Sequence, residues 1–400
     1  MIRHLFTLMW NRRRANALLI AEIVLAFVVL FAVCSVGTYY WRNYRAPLGF
    51  AYANVWQVRL NPGALPAAEQ VAPWQRILRQ LRATPGVEVV SRQASNTPFA
   101  FSNNNGTVSA GTGATKRQCD SADFFEADPE LQQVLGLQLK AGRWFDRRDE
   151  TPTRQPPVVI TEATAAALFP NGESPLGKTI GFGFKGDEEH TVIGVSGPYR
   201  AGGELSEPQP AMFRYVAPLD TSRAMFTLLV RVKPGSGAAL EKRISDDIRA
   251  AGPTWTSSLT VLADQRVTQL KLLLIPPVLL SIVCLFLIVN VALGLFGVLW
   301  LNINQRRAEL GVRRALGATG RAVSGLVLGE LLVLTTFGLV LGLLVAAQFP
   351  LLGVFNIKAG VYLTAMLLAT LGLYALAASC ALYPSQLAAR IQPAVALREE

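Results

Sequence analysis

One stretch of the chain has the spacing of a phosphate-binding loop. Gly172-Glu-Ser-Pro-Leu-Gly177-Lys178-Thr179 fits G-x-x-x-x-G-K-[ST], the pattern in which backbone N–H groups and a lysine cradle phosphates. Such a loop needs a strand before it and a helix after it, so that the helix N-terminus faces the anion. Here the order is reversed: an Ala-rich helical stretch over 162–169 precedes the loop and a strand pattern over 179–184 follows. Pro175 also removes one N–H donor. The match therefore reads as a turn between a helix and a strand.

The other residue types that carry chemistry are too sparse or too scattered to form a site. Of four cysteines, Cys34, Cys284 and Cys380 lie in apolar runs, and only Cys119 lies in the long polar segment, so no disulfide is expected there. His4 and His190 are far apart and no CxxC occurs, which speaks against a zinc site or a Cys–His pair. Asp187-Glu188-Glu189 follows a glycine and reads as a solvated turn. No catalytic constellation stands out, which argues against a membrane-anchored enzyme.

The elements that would position any site are dominated by the bilayer. The chain has 400 residues, is 51% hydrophobic and only 16% charged, against about 25% charged in an ordinary soluble chain. Four runs are apolar: 17–39, broken by Glu22; 272–301; 322–347, broken by Glu330; and 361–383. Each exceeds the roughly 20 helical residues that span a hydrocarbon core. The first run is too long for a signal peptide and no small-x-small cleavage site follows it.

Charge sets the expected orientation. The segments before the first run, between the second and third, and after the fourth carry eleven basic residues against three acidic. The positive-inside rule then puts both termini and the 302–321 loop in the cytoplasm. The remaining long segment holds 26 basic and 22 acidic residues. The net charge of +11 is thus a property of topology, not of nucleic-acid binding. The expected order is a cytoplasmic segment 1–16, helix 17–40, an outer domain 41–271, helix 272–301, a cytoplasmic loop 302–321, helix 322–347, a short outer loop 348–360, helix 361–383 and a cytoplasmic tail 384–400.

Within the outer domain two strand–helix–strand units are predicted, one over 55–60, 67–82 and 87–90 and one over 227–233, 237–250 and 259–262, packed together. Between them lies a lobe at about 115–222 with strands over 157–161, 179–184 and 191–195. The Ser/Asn/Thr/Gly-rich tract 91–113 reads as a surface loop. Pro276-Pro277 is expected to kink or start the second apolar helix. Gly294, Gly297, Gly338 and Gly342 are suited to close helix approach. Glu22 and Glu330 are the two intramembrane acids, each a functional candidate or a member of a structural pair with a basic residue.

The loop run Arg307-Ala-Glu309-Leu-Gly311-Val-Arg313-Arg314-Ala315-Leu316-Gly317-Ala318-Thr319 resembles the signature of FtsX/MacB-type ABC transporter permeases. Glu330 and the C-terminal Tyr383-Pro384-Ser-Gln-x-Ala-Ala-Arg390-Ile-Gln-Pro393-Ala-Val-Ala-Leu397-Arg398-Glu399 fit the same pattern. Ser121-Ala-Asp-Phe-Phe125, Ala141-Gly-Arg143-x-Phe145, Val158-Val-Ile160, Leu168-Phe169-Pro170 and Pro175-Leu-Gly-Lys178 resemble the MacB-type periplasmic core domain.

The resemblance implies a membrane α plus periplasmic α/β fold: four transmembrane helices with a large two-lobed extracytoplasmic domain between the first and second. It implies a non-enzymatic permease subunit of the mechanotransmission type in a bacterial inner membrane. A separate cytoplasmic ATPase would hold ATP and Mg, with no cofactor or metal on this chain. Arg306, Arg307, Glu309, Leu310, Arg313, Arg314 and Leu316 would form the contact with that ATPase. A second permease is implied, a heterodimer being favoured because Trp10-Asn-Arg-Arg-Arg14…Leu18-Leu-Ile-Ala-Glu22 looks like permeases encoded as non-identical pairs; a periplasmic adaptor is a further implied partner. Cargo would be a peptide, antibiotic, siderophore or lipoprotein. The alternative is an FtsX-like regulator of a cell-wall hydrolase or an antimicrobial-peptide sensor.

Overall fold

A computed structural model of the chain describes residues 13–113, 116–151, 153–170, 172–183, 188–217 and 226–389. Expectations for Arg3, His4, Arg12, Asp187 and the tail from Arg390 fall outside the described residues. The chain divides into two units, Asn43–Leu273 and the segments before and after it.

In chain order the elements are α1 (Arg13–Tyr44), β1 (Val55–Asn61), α2 (Ala67–Ala83), β2 (Val87–Gln93), β3 (Asn105–Ala110), β4 (Arg117–Ala127), α3 (Leu131–Leu135), β5 (Leu139–Gly142), β6 (Pro157–Thr161), α4 (Glu162–Leu168), β7 (Thr179–Phe182), β8 (Glu188–Ser196), β9 (Ala211–Tyr215), β10 (Thr227–Val232), α5 (Ala238–Ala251), β11 (Thr256–Val261), α6 (Leu262–Gln305), α7 (Arg307–Ala315), α8 (Gly320–Leu351) and α9 (Ala359–Ala389). Short 3₁₀ turns occupy Arg147–Glu150 and Val354–Asn356.

The α/β unit has two lobes. In the first, the strands run β11-β1-β10-β2, all neighbours antiparallel. β1-α2-β2 and β10-α5-β11 are split β-α-β units that interlock, each leaving the slot that a strand of the other fills. Alternation explains the layering. Trp56, Val58, Leu228 and Val230 face α2 and α5, packing on Trp74, Ile77, Leu81, Ile244 and Ile248. Val55 and Leu229 point to the opposite face and join a second core with Phe125, Leu131 and Phe213. The Thr84 hydroxyl caps α2 on the Gln80 carbonyl and ties it to Asp247 on α5, at 2.9 and 2.7 Å.

The second lobe is a barrel. Its strands run β5-β8-β6-β9-β4-β3-β7, and β7 also pairs with β8. Six strands therefore close on themselves and β5 extends the ring along the far end of β8. Closure leaves the ring without a free edge. Val108, Val158, Ile160, Ile180, Val192 and Met212 fill it.

This lobe starts earlier than the expected residue 115, because β3 is one of its strands. The tract 91–113 is thus not a loop throughout: Val108 and Ala110 belong to the barrel core, and Ser109 between them is buried too. Asp128 joins the lobes. Its carboxylate accepts from Ser91 Oγ at 2.6 Å, the Arg92 N–H at 2.8 Å and the Leu131 N–H at 3.0 Å. Burial pushes this carboxyl up to about 7.

In the other unit, four helices are long and apolar enough to cross a membrane: Ile20–Tyr44 within α1, then α6, α8 and the Ala359–Gln386 part of α9. Ile23, Phe27, Leu295, Leu334 and Leu373 form their shared core. Three glycines allow the close approach expected of them. A Cβ on Gly342 would sit 2.5 Å from Phe27 and one on Gly294 2.7 Å from Glu22, while Gly338 abuts Ile23. Gly297 has nothing within 4 Å. Pro276 and Pro277 do not start the second apolar helix; both lie inside α6, which begins at Leu262. Membrane-type helices tolerate interior proline more readily than soluble ones.

Candidate coupling site

The polar segment between α6 and α8 is built around a short helix with a firm C-terminal end. α7 carries no side-chain cap at its start. Its C-terminus is a Schellman closure: the Ala318 N–H reaches the Arg313 carbonyl at 3.0 Å and the Gly317 N–H reaches the Arg314 carbonyl at 3.1 Å. Gly317 has φ +97°, a conformation a side chain would strain. Two residues on, the Thr319 hydroxyl accepts from the Ala322 N–H at 3.2 Å and caps α8. The run Leu316-Gly-Ala-Thr319 is therefore one turn: a glycine that ends one helix and a threonine that starts the next.

An arginine clamps this helix to its neighbour. Arg306, the residue before α7, donates from Nη1 to both carboxylate oxygens of Glu330 on α8, at 2.8 and 3.0 Å. Its Nε and Nη2 reach the two oxygens of Glu309, at 2.9 and 3.2 Å. Glu309 in turn accepts from Arg313 Nη2 at 2.7 Å. The Arg306 side chain is 18% exposed and Glu330 28%. Hydrogen bonding to Arg306 holds the Glu309 carboxyl below its ordinary range, and the same bonds raise the Arg306 guanidinium.

The seven residues of the expected contact do not share one fate. Leu310 is buried at 2% exposure in the helix core with Ile303 and Val323, so it anchors α7 and does not face a partner. Arg306 faces inward to the clamp, and Glu309 pairs with it while remaining 44% exposed. Leu316 is 84% exposed at the end of α7, on the same face as exposed Val312 and Ala315. Arg307 is exposed, and Arg313 and Arg314 are half-buried. Glu22 has no ion-pair or hydrogen-bond partner among the described residues and lies against Gly294 of α6. Sequence reasoning named both Arg306 and Glu330; the turn at 316–319 is what brings them together.

The phosphate-loop match is a turn. It lies between α4 and β7, Gly172 and Gly177 have φ of +73° and +76°, and Lys178 pairs with Glu173 while lying 4.9 Å from the Phe169 ring centre. Leu176 packs on Gly142, where a Cβ would come within 2.7 Å of it. Arg143 grips Asp149 through two bonds of 2.6 and 2.7 Å. These motif residues hold the barrel together and form no reactive group. Among the described residues no three His, Cys, Asp or Glu side chains gather as a metal ion would need.

Four apolar helices, an α/β domain inserted after the first and a clamped polar helix after the second define a permease-type membrane subunit. The chain belongs to the family of FtsX/MacB-type ABC permeases: the MacB-like periplasmic core domain matches residues 17–247 and the FtsX-like permease C-terminal region matches residues 281–393. It is 30% identical over 224 residues to a probable syringafactin export ATP-binding/permease protein of Pseudomonas syringae pv. tomato, covering 53% of this chain and 32% of that protein. It is 27% identical over 286 residues to the macrolide export ATP-binding/permease protein MacB of Hahella chejuensis, covering 67% of this chain and 41% of that one. The chain thus spans less than half the length of these curated relatives. Among solved structures it is similar to the periplasmic region of MacB from Actinobacillus actinomycetemcomitans, at 16% identity and a TM-score of 0.38, covering 54% of this chain and 92% of that one.

Proposed function

We propose that this chain is the membrane subunit of an ABC transporter that converts ATP hydrolysis in a cytoplasmic partner into movement of its α/β domain. The observation that carries this reading is the build of α7. One side is fixed to α8 through Arg306–Glu330 and Leu310, and the other presents Val312, Ala315 and Leu316 beside arginines. A helix so anchored passes force from whatever grips its exposed face to the membrane helix behind it. ATP and Mg belong to the partner.

The arginine-rich 306–321 stretch supports placing α7 and both termini on the cytoplasmic side of a bacterial inner membrane. A second permease is a further partner of this reading; the apolar Leu279, Ile282, Phe286 and Leu293 of α6, all more than half exposed, suit that partner or lipid. The relatives' export functions favour efflux or release of a peptide, antibiotic or lipoprotein, with a periplasmic adaptor as a further partner. The test is Leu316→Asp beside the double reversal Arg313→Glu/Arg314→Glu, read by ATPase co-purification from native membranes. We expect at least a tenfold loss with normal membrane insertion; unchanged co-purification would overturn the assignment.

A further inference from the structure

The α/β domain contains a cavity of about 130 Å³ whose lining includes Asp123 and Phe125 of the Ser121–Phe125 motif. It lies between the loop after β2, the second half of β4 and the loop after β8. Three residues of its lining hold a buried polar atom without a hydrogen-bond partner: Asn96 Oδ1, Thr97 Oγ1 and the Tyr199 hydroxyl. Their residues are 3%, 1% and 3% exposed. A buried polar atom without a partner costs about 1–3 kcal/mol, so three in one cavity call for something that satisfies them together.

The lining offers several acceptors, a carboxylate among them. Asn96 donates from Nδ2 to the Phe124 carbonyl at 2.9 Å, and its Oδ1 is the atom left without a partner. The Asp123 carboxylate adds a negative charge, and burial raises it to about 6. The Phe125 and Tyr199 rings meet edge to face, 4.8 Å between centres, on the same wall. Arg200 also lines the space, but its guanidinium donates to the backbone carbonyls of Ala46, Glu204 and Ser206. An anion would need those donors.

We propose that this cavity binds a primary ammonium group carried on a short apolar stem. Its three N–H donors match the Asp123 carboxylate, Asn96 Oδ1 and a hydroxyl of Thr97 or Tyr199, and aromatic faces attract a cation. Drug-sized ligands occupy roughly 300–1,000 Å³. This space therefore takes a small amine or one amino group of a larger molecule. The loop after β8 that forms one wall also holds the entry and exit of the α/β domain: Asn43 Nδ2 donates to the Leu205 carbonyl at 3.0 Å and Glu204 pairs with Arg266 of α6. Occupancy of the cavity would stiffen that loop. As cargo recognition the proposal rests on the permease reading; the binding itself does not.

The test is calorimetric titration of the detergent-solubilised full chain with n-butylammonium, glycylglycinamide and 1-butanol. At least one ammonium compound should bind in the millimolar range and 1-butanol should not. Butylammonium as the ligand assigns a side-chain-type amine; glycylglycinamide assigns a peptide amino terminus. Asp123→Asn should weaken binding at least tenfold, and Thr97→Val should weaken it severalfold even if the Asp123 variant fails to fold. No binding by either amine, water being the only occupant, would overturn the proposal. Equal binding of 1-butanol, or unchanged affinity in both variants, would do the same. None of these readings depends on ATPase co-purification, so failure here and failure of the coupling site are separable.

Discussion

Glu330→Gln should loosen α7 without disturbing the membrane helices. Arg306 holds Glu330 through two bonds of 2.8 and 3.0 Å, with the side chains 18% and 28% exposed. Two unit charges about 4 Å apart attract by about 4 kcal/mol at an effective dielectric of about 20. Desolvation and ordering of the arginine cancel much of this, leaving the roughly 1.5–3 kcal/mol typical of a hydrogen bond to a charged group. Glutamine keeps one acceptor and the shape but loses the charge, so about 1–1.5 kcal/mol should disappear, which is roughly a fivefold to tenfold shift in equilibrium. Hydrogen–deuterium exchange of the α7 amides in detergent measures that shift directly. They should exchange about five to ten times faster in the variant, with amides in the middle of α8 unchanged. Arg306→Met should produce a similar change, and combining the two should add little. Exchange within twofold of the parent chain, or fully additive effects, would refute the clamp.

Asp128 makes a pH prediction. Its folded pKa of about 7 lies above the roughly 3.9 of an unfolded aspartate. The folded chain therefore holds the extra proton between about pH 4 and about pH 7, and this group's contribution to stability falls as pH rises through that window, by at most about 1.4 kcal/mol per unit. Thermal unfolding from pH 4 to 8 should show the fall, and Asp128→Asn should flatten it. Gly338→Leu drives a side chain into Ile23 of α1 and should cost about 1–3 kcal/mol or part the helices, visible as lost thermal stability in detergent. Gly317→Val forces a β-branched residue to φ +97° and should destabilise α7 by more than about 1 kcal/mol, with faster exchange confined to 307–318.

The membrane half was legible because a long apolar run has one stable form in a bilayer. The two split β-α-β units were legible because Trp74, Ile77, Leu78 and Leu81 recur at helical spacing beside strands of β-branched residues. The barrel was not. β3 opens on Asn105-Gly-Thr and β4 on the polar run Arg117–Ser121, so locally both resemble a loop, and only closure of the ring shows them as strands. The clamp was half legible. Arg306 and Glu330 each stood out, but their meeting depends on the positive φ at Gly317. The residues of the ammonium cavity come from three separate segments, and the parallel pairing of β4 with β9 is part of what brings them together; no spacing along the chain announces them.

The interlocked first lobe has a consequence for how the protein is made. β1 and β2 leave the ribosome early, yet they do not touch; the slot between them is filled by β10, which is synthesised only after every strand of the barrel. The barrel's strands are contiguous in sequence, so it can assemble while the chain is still growing. Until β10 arrives, β1, α2 and β2 present an apolar sheet face and unpaired backbone in a segment already tethered by α1. The interval between completion of the barrel and arrival of β10 is when a nascent chain most needs a chaperone, and a translational pause placed there would lengthen the exposure.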